Sequence, residues 1–308
     1  MHSKCIIDIE HLSPIRVDRI MELSYEVQEQ ETWSSDLNGV LMASLFLEPS
    51  TRTRFSFDAA MLRLGGKIIS ANQAEELSLA KGEQLIDVLK SIAEYVDLIV
   101  LRSKARLYHY EVDELSIPLI NAGDGEGQHP TQALVDLFTI KEHFARLGDL
   151  NVLFIGDCKH ARTIHSLARL LLRYNSNIYC CTPENMEIPK DNIEEKNKKK
   201  VMDITPKALE DCLKIADVVY LVRYQKERHQ KYSNYLSEHE YTSKYGITTP
   251  QLELMSQNSI VMHPFPRGLE LPTSIDSNYR AAYFEQQRNA TLVRTAILRE
   301  VFEREEEE

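Results

Sequence analysis

Val40-Leu41-Met42-Ala43-Ser44-Leu45-Phe46-Leu47 runs directly into Glu48-Pro49-Ser50-Thr51-Arg52-Thr53-Arg54-Phe55-Ser56-Phe57. The first eight residues are a short apolar run and read as a β-strand. Pro49 punctuates the run. Beyond it the apolar positions become Phe57, Ala60, Met61 and Leu64, the i, i+3, i+4, i+7 spacing of one helix face. Strand, polar turn and helix in that order form the building step of an α/β fold. The turn itself carries chemistry. Ser50, Thr51, Arg52 and Thr53 gather hydroxyls and a guanidinium at a helix start, where free backbone N–H groups and the helix dipole favour an anion. A hydroxyl-capped helix with a charged first turn fits the same residues. An arginine in that turn opposes the dipole, which favours a bound anion.

The same alternation continues outward. Lys67–Ser70, Val96–Leu101, Ile117–Asn121, Asn151–Ile155, Asn177–Cys181, Asp217–Val222 and Ser259–Met262 are further strand candidates. Leu85, Val88, Leu89 and Ile92 share one helix face, as do Ile164, Leu167, Ala168 and Leu171. Ser13-Pro14 and His129-Pro130-Thr131 mark helix starts. A helix over Pro130–Leu147, ended by Gly148, connects one α/β domain to the next. A last helix near Asn289–Arg304 packs back onto the first domain. At roughly 150 residues per domain, 308 residues make about two. The expected fold class is α/β: two doubly wound domains, each with a mainly parallel sheet flanked by helices, joined by interdomain helices. The expected boundaries are 1–147, completed by 286–308, and 148–285.

Composition narrows the function. With 43% hydrophobic and 27% charged residues, the chain is not disordered, collagenous or a disulfide scaffold. A net charge of −11 argues against broad nucleic-acid or anionic-membrane binding but leaves room for a local basic pocket. Cys5, Cys158, Cys180, Cys181 and Cys212 show no zinc or redox spacing and read as reduced, packed thiols. No apolar run approaches the roughly 20 residues of a membrane span, and no signal-peptide core follows Met1, so a cytoplasmic location is expected. Glu194–Lys200 reads as a solvated polar loop, and the acidic tail from Glu303 as a fraying end.

Polar or cationic segments follow six of the strands. Glu48–Arg54 is the first; then come Arg102, Gly123–His129, Asp157–Arg162, Arg223–Arg228 and His263–Arg267. In parallel sheets these segments share the carboxyl edge, where α/β folds bind ligands. Ser78-Leu79-Ala80-Lys81-Gly82-Glu83 is a polar loop before a helix, or a mobile loop bringing an ammonium and a hydroxyl to an anion. The series Gly123, Gly125, Gly127 lacks dinucleotide-loop spacing. His129, at a helix start beside Gln132, is placed to hydrogen-bond a ligand carbonyl.

Together these segments resemble the aspartate/ornithine carbamoyltransferase family over nearly the whole chain. Ser50-Thr51-Arg52-Thr53-Arg54 marks the wider family. The Lys81 loop, His129-Pro130-Thr131-Gln132, Gln225-Lys226-Glu227-Arg228 and His263-Pro264-Phe265-Pro266-Arg267 point to its aspartate branch. The resemblance implies carbamoyl transfer from carbamoyl phosphate to L-aspartate, an early step of pyrimidine synthesis, with no metal or organic cofactor. It assigns Ser50, Thr51, Arg52 and Thr53 to the phosphate. Arg102, His129 and Gln132, with Thr53, go to the carbamoyl end, and Thr53, Arg102 and His129 are the catalytic set. Arg162, Arg223, Gln225, Phe265 and Pro266 take the aspartate. Ser78 and Lys81 reach the carbamoyl phosphate, and Lys81 also the aspartate, from a neighbouring subunit of a homotrimer. Glu48 pairs with Arg162 and Arg228 when the domains close. Regulatory chains or a dihydroorotase are possible partners. Three positions depart from the family pattern: Glu270 after Gly268-Leu269, Asn289-Ala290 for Asn-Gly, and Ala161 for Gly. The alternatives are a carbamoyltransferase for another amino acid such as ornithine, against which Arg162, Arg223 and Lys81 argue, and a non-catalytic anion-binding homologue.

Overall fold

The computed structural model describes residues 4–303 apart from 31, 126, 192 and 226–235. Arg228 and the end of the acidic tail thus lie outside the described residues. The chain divides into two units, Met1–Phe138 with Arg288–Glu308, and Thr139–Gln287.

The first unit holds β1 (Leu41–Phe46), β2 (Lys67–Ala71), β3 (Leu98–Ser103) and β4 (Leu119–Asp124) in the order β2-β1-β3-β4. The second holds β5 (Asn151–Ile155), β6 (Asn177–Cys181), β7 (Val201–Ile204), β8 (Val218–Leu221) and β9 (Ile260–Met262) in the order β7-β6-β5-β8-β9. All pairings within the two sheets are parallel. In each unit the chain builds outward from its first strand to one edge, then returns to that strand's other side. The order therefore reverses between β1 and β3, and again between β5 and β8. Crevices at such reversals are where doubly wound sheets bind ligands.

Eight strands fall on the expected segments. Two are displaced toward their carboxyl ends for a reason local pattern does not contain. Pairing with β1 carries β3 through the Phe46–Arg102 register, and Leu47 N–H donates to the Arg102 carbonyl at 2.8 Å. Arg102 thus lies within its strand rather than after it. A bulge in the β3–β4 ladder then pairs Ser103 with Asp124, extending β4 past Asn121. The ninth strand, β7, was not expected: it is a short edge strand in which Val201 alone is buried. The segment before it, expected as a loop, is a 3-10 helix over Glu195–Lys200.

Helix α1 (Pro14–Glu29) starts as its sequence requires, with the Ser13 hydroxyl accepting from Arg16 N–H at 3.3 Å. The expected faces of α2 (Thr51–Arg63), α3 (Leu85–Ala93) and α6 (Arg162–Arg173) supply core residues such as Phe57, Leu89 and Leu167. The short α4 (His109–Val112) follows β3, and α7 (Leu209–Ile215), α8 (Glu238–Tyr245) and α9 (Thr249–Leu252) flank the second sheet's later strands. The interdomain helix α5 (Pro130–Phe144) is shorter than expected, because Ala145 turns left-handed at φ +52° and ends it before Leu147. The last helix, α10 (Tyr283–Phe302), begins six residues before Asn289. Its carboxyl-terminal part belongs to the first unit, where Arg16 forks onto Glu300 at 2.5 and 2.8 Å. Asn289-Ala290 is therefore buried helix interior, where alanine is favoured over glycine by about 0.5–1 kcal/mol. Ala161 precedes α6 at φ −87°, a conformation that needs no glycine. The five cysteines are free thiols, four of them buried. Among the described residues no helix is long and apolar enough to cross a membrane.

Candidate active site

At the β1–β3 reversal, Ser50 is extended at φ −158° and makes no side-chain cap bond to α2. Its hydroxyl therefore does not compete for the first-turn N–H groups, which helix geometry leaves without intrahelical partners. Ser50 and Thr51 line an open cleft of about 640 Å³, together with Glu48, the segment after β2, and Ser103–Ala105 at the end of β3. Arg52 is exposed and Thr53 buried. Arg54 is committed within its own helix to Asp58 at 3.3 Å. Lys81 is exposed at the end of a 3-10 turn, Ser78–Lys81, closed by Gly82 at φ +89°. Neither Ser78 nor Lys81 lines the cleft, although Leu79 between them does.

The Arg102 guanidinium donates to the Ala122 carbonyl at 3.2 Å and sits 3.7 Å from the Glu48 carboxylate. Glu48 thus pairs inside its own unit, with a partner the sequence did not indicate. His129 is buried, and its carbonyl accepts from Gln132 and Ala133 N–H at 3.1 Å, opening α5. The glycines before it serve a turn rather than a dinucleotide. Asp124 accepts from Gln128 and Leu107 N–H at 2.7 and 2.8 Å. A Cβ on Gly127 would lie 2.6 Å from that carboxylate.

Gln132 is oriented by residues that no local motif announces. Its Nε2 donates to Asp136 at 2.8 Å, and its Oε1 accepts from Arg294 of α10 at 3.3 Å. Arg294 also donates to the Ser56 hydroxyl, which in turn donates to the Arg52 and Thr53 carbonyls at 2.7 and 2.9 Å. One fully buried guanidinium thereby links the α2 first turn to α5. Burial pushes Arg294 down to about 9, against the pull of Asp136, so it remains charged at neutral pH. The only sequence signal was an arginine set between the apolar pairs Leu292-Val293 and Ala296-Ile297 of the last helix.

At the β5–β8 reversal, Arg162 opens α6 and is buried, while Arg223 and Gln225 follow β8 and are partly buried. Tyr241 of α8 staples the reversal: its hydroxyl accepts from Asp157 N–H at 3.0 Å and donates to the Val222 carbonyl at 2.9 Å. Gly156, at φ +115°, makes room for it, since a Cβ there would lie 2.2 Å from that hydroxyl. After β9, His263 Nδ1 accepts from Phe265 N–H at 2.9 Å. That leaves the ring proton on Nε2, which donates to Glu270 at 3.1 Å. Gly268 N–H donates to the same carboxylate at 2.6 Å. Burial pushes Glu270 up, but these donors outweigh it and hold the carboxyl below its usual range. Glu270 thus fixes the Phe265-Pro266 turn, with Phe265 left-handed at φ +52°.

His165, one turn into α6, donates from Nε2 to the Cys158 carbonyl at 2.8 Å. Burial, with Arg169 adding to it, pushes its pKa from 6.5 to about 4. Because the folded value lies below the unfolded one, its contribution is complete above pH 6.5 and lost as pH falls toward 4. At about 1.4 kcal/mol per unit the loss reaches at most about 3 kcal/mol. His165→Gln should flatten the fall in urea midpoint across that window; parallel profiles for the two proteins would reject the assignment.

Two parallel sheets, each with guanidinium-bearing segments at its reversal point, define an α/β protein of the doubly wound class. The family model for the aspartate/ornithine carbamoyltransferase carbamoyl-P binding domain matches residues 4–142, and that for the Asp/Orn binding domain matches 148–301. This chain belongs to the aspartate/ornithine carbamoyltransferase family. It is 42% identical over 269 residues to an aspartate carbamoyltransferase catalytic subunit from Archaeoglobus fulgidus, covering 86% of this chain and 87% of that protein. It is 38% identical to the Dictyostelium discoideum multifunctional protein pyr1-3, over 97% of this chain and 13% of that one. Among solved structures, Trypanosoma cruzi aspartate transcarbamoylase in complex with carbamoyl aspartate and phosphate superposes with a TM-score of 0.84 at 34% identity, covering 96% and 94% of the two chains.

Proposed function

We propose that this protein transfers the carbamoyl group of carbamoyl phosphate to the amino group of L-aspartate, releasing N-carbamoyl-L-aspartate and phosphate for pyrimidine synthesis. The observation that carries this reading is the pair of arginines at the β5–β8 reversal, Arg162 after β5 and Arg223 after β8. Two guanidinium forks match the two carboxylates of aspartate and would repel the cationic side chain of ornithine. Gln225 and the Phe265-Pro266 turn complete that subsite.

At the other reversal the α2 turn, with Ser50, Thr51, Arg52 and Thr53, holds the phosphate. The neutral amine of aspartate attacks the carbamoyl carbon, and the carbonyl oxygen gains negative charge. Arg102, His129 and the Thr53 hydroxyl stabilise that charge, while Gln132 positions the carbamoyl group. The carbon–oxygen bond to phosphate then breaks, the departing phosphate takes the proton that the amine nitrogen loses, and its remaining charge falls on Arg52 and the α2 N–H groups. Positioning and fixed charge supply the acceleration. The carbamoyl phosphate half comprises residues 1–147 with 286–308, and the aspartate half residues 148–285. The protein acts in the cytoplasm as a homotrimer, in which partly buried Ser78 and exposed Lys81 serve a neighbour's site. Its likeness to a catalytic subunit and to a segment of a multifunctional protein supports work inside a larger assembly.

Purified protein supplied with carbamoyl phosphate and either aspartate or ornithine tests the reading. N-carbamoyl-L-aspartate should form, with citrulline at background and a sedimentation mass of three chains. Citrulline as the main product, or no product from an assembled trimer, would overturn it.

A further inference from the structure

Among the described residues, Asp8, His11 and His109 bring three potential metal-ligand atoms within 4.8 Å of one another. None of the three belongs to the carbamoyl phosphate or aspartate assignments. The segment carrying Asp8 and His11 is held on the first sheet by backbone bonds: Ile6 N–H to the Leu119 carbonyl at 3.0 Å, and Asn121 N–H to the Ile6 carbonyl at 2.8 Å. Ile9 N–H adds a bond to the Gln128 side chain at 3.0 Å. His109 arrives from elsewhere in the chain as the first residue of α4. The convergence is therefore tertiary, built by elements about a hundred residues apart.

The Asp8 carboxylate is the hub. It accepts from His11 N–H at 2.9 Å and meets His11 Nδ1 at 2.9 Å and His109 Nε2 at 2.8 Å. The two imidazole rings lie against each other, centroids 3.6 Å apart. Burial pushes Asp8 up, yet its bonds to His11 and then His109 prevail and hold it below its usual range, ionised at neutral pH.

We propose that His11 Nδ1, His109 Nε2 and the Asp8 carboxylate form a binding site for one divalent transition-metal ion of the zinc class, with water completing the coordination. Zinc bonds of 2.0–2.1 Å to imidazole nitrogen and carboxylate oxygen set a tetrahedral edge of about 3.3 Å. The two nitrogen–oxygen separations need open by only about 0.5 Å to admit the ion. The His11 side chain, 63% exposed, is free to make that adjustment and leaves a solvent-facing side for water. On binding, each ring presents a lone pair from the nitrogen that faces the carboxylate and keeps its proton on the other nitrogen. Two nitrogen donors with one oxygen select zinc, cobalt or nickel over magnesium and calcium. Bound metal would tie the amino-terminal segment to α4, and an ion that binds only the folded chain stabilises it.

The test uses tag-free, chelator-dialysed protein titrated with zinc chloride in a calorimeter, beside His11→Gln and His109→Gln. One equivalent should bind to the wild type and weaken on the order of a hundredfold or more in either variant, since losing even an outer-shell partner costs 10–100-fold. Cobalt should give visible d–d absorption that zinc displaces, and magnesium should give no heat. Zinc should raise the melting temperature of the wild type but not of His11→Gln, whose exposed position makes loss of folding an implausible confounder. Equal affinity in wild type and His11→Gln would place the metal elsewhere and overturn the site. A wild type without a saturable equivalent would leave a plain His–Asp–His hydrogen-bonded cluster and overturn it too.

Discussion

An Arg102→Ala chain should fold normally and turn over about 10²–10³-fold more slowly, the usual cost of one oxyanion-stabilising donor. The guanidinium already has two neighbours within its own unit, the Ala122 carbonyl at 3.2 Å and the Glu48 carboxylate at 3.7 Å. A group held that way is poised before substrate arrives, so its benefit appears where charge develops. The loss should fall on kcat, with KM for carbamoyl phosphate changed much less. Arg223→Ala should behave differently. Its proposed partner is a ground-state carboxylate of aspartate, so the aspartate KM should rise steeply, with a smaller loss of kcat from misplacement. Charge-assisted contacts of this kind are worth about 2–4 kcal/mol when desolvated. Steady-state kinetics in both substrates separates the two roles. An Arg223→Ala enzyme with wild-type aspartate saturation, or an Arg102→Ala enzyme with wild-type kcat, would overturn the corresponding assignment.

Arg294→Met should be costly far from any substrate contact. Methionine fills most of the volume but removes the donors to Gln132 and Ser56, and it takes away the positive charge that fully buried Asp136 faces. Breaking a buried charge pair from one side costs about 3–5 kcal/mol. A urea midpoint well below wild type is therefore expected. The folded fraction should also show a reduced kcat, because Gln132 and the α2 first turn lose their common anchor. Arg294→Lys separates the effects. It restores a charge near Asp136 but not the guanidinium fork, so it should recover stability more than kcat. If Arg294→Met matches wild type in both measurements, Arg294 does not position Gln132.

Which parts of this were legible in the chain itself depends on how far apart the determining residues lie. Ser50–Arg54 could be read as an anion turn because the strand before it and the helix after it are both local patterns. Ser13-Pro14 announced α1 for the same reason, its cap reaching only to Arg16. The boundaries that moved are those set by a partner. Arg102 is in a strand because Phe46 lies beside it. The unexpected Val201–Ile204 strand has too few buried positions to show a period of its own. Arg294, Tyr241 and the Asp8–His11–His109 group were invisible, since each acts on residues from 19 to 238 positions away.

By itself, then, the sequence determined the alternation of strands and helices, the two-unit division as an expectation, and which polar and cationic residues trail each strand. Periodicity and capping act over a few residues, and side-chain burial enforces them wherever the segment packs. The tertiary structure alone decided which trailing segments meet. The same strands could be ordered several ways in a parallel sheet without changing any local period. Placing β3 against β1 brings Arg102 beside Glu48, and placing β8 against β5 makes neighbours of the strands that lead into Arg162 and Arg223. That choice comes from long crossovers and buried contacts between distant segments, such as Tyr241 across Gly156, and it sets a list of charged residues at the reversal points of two sheets.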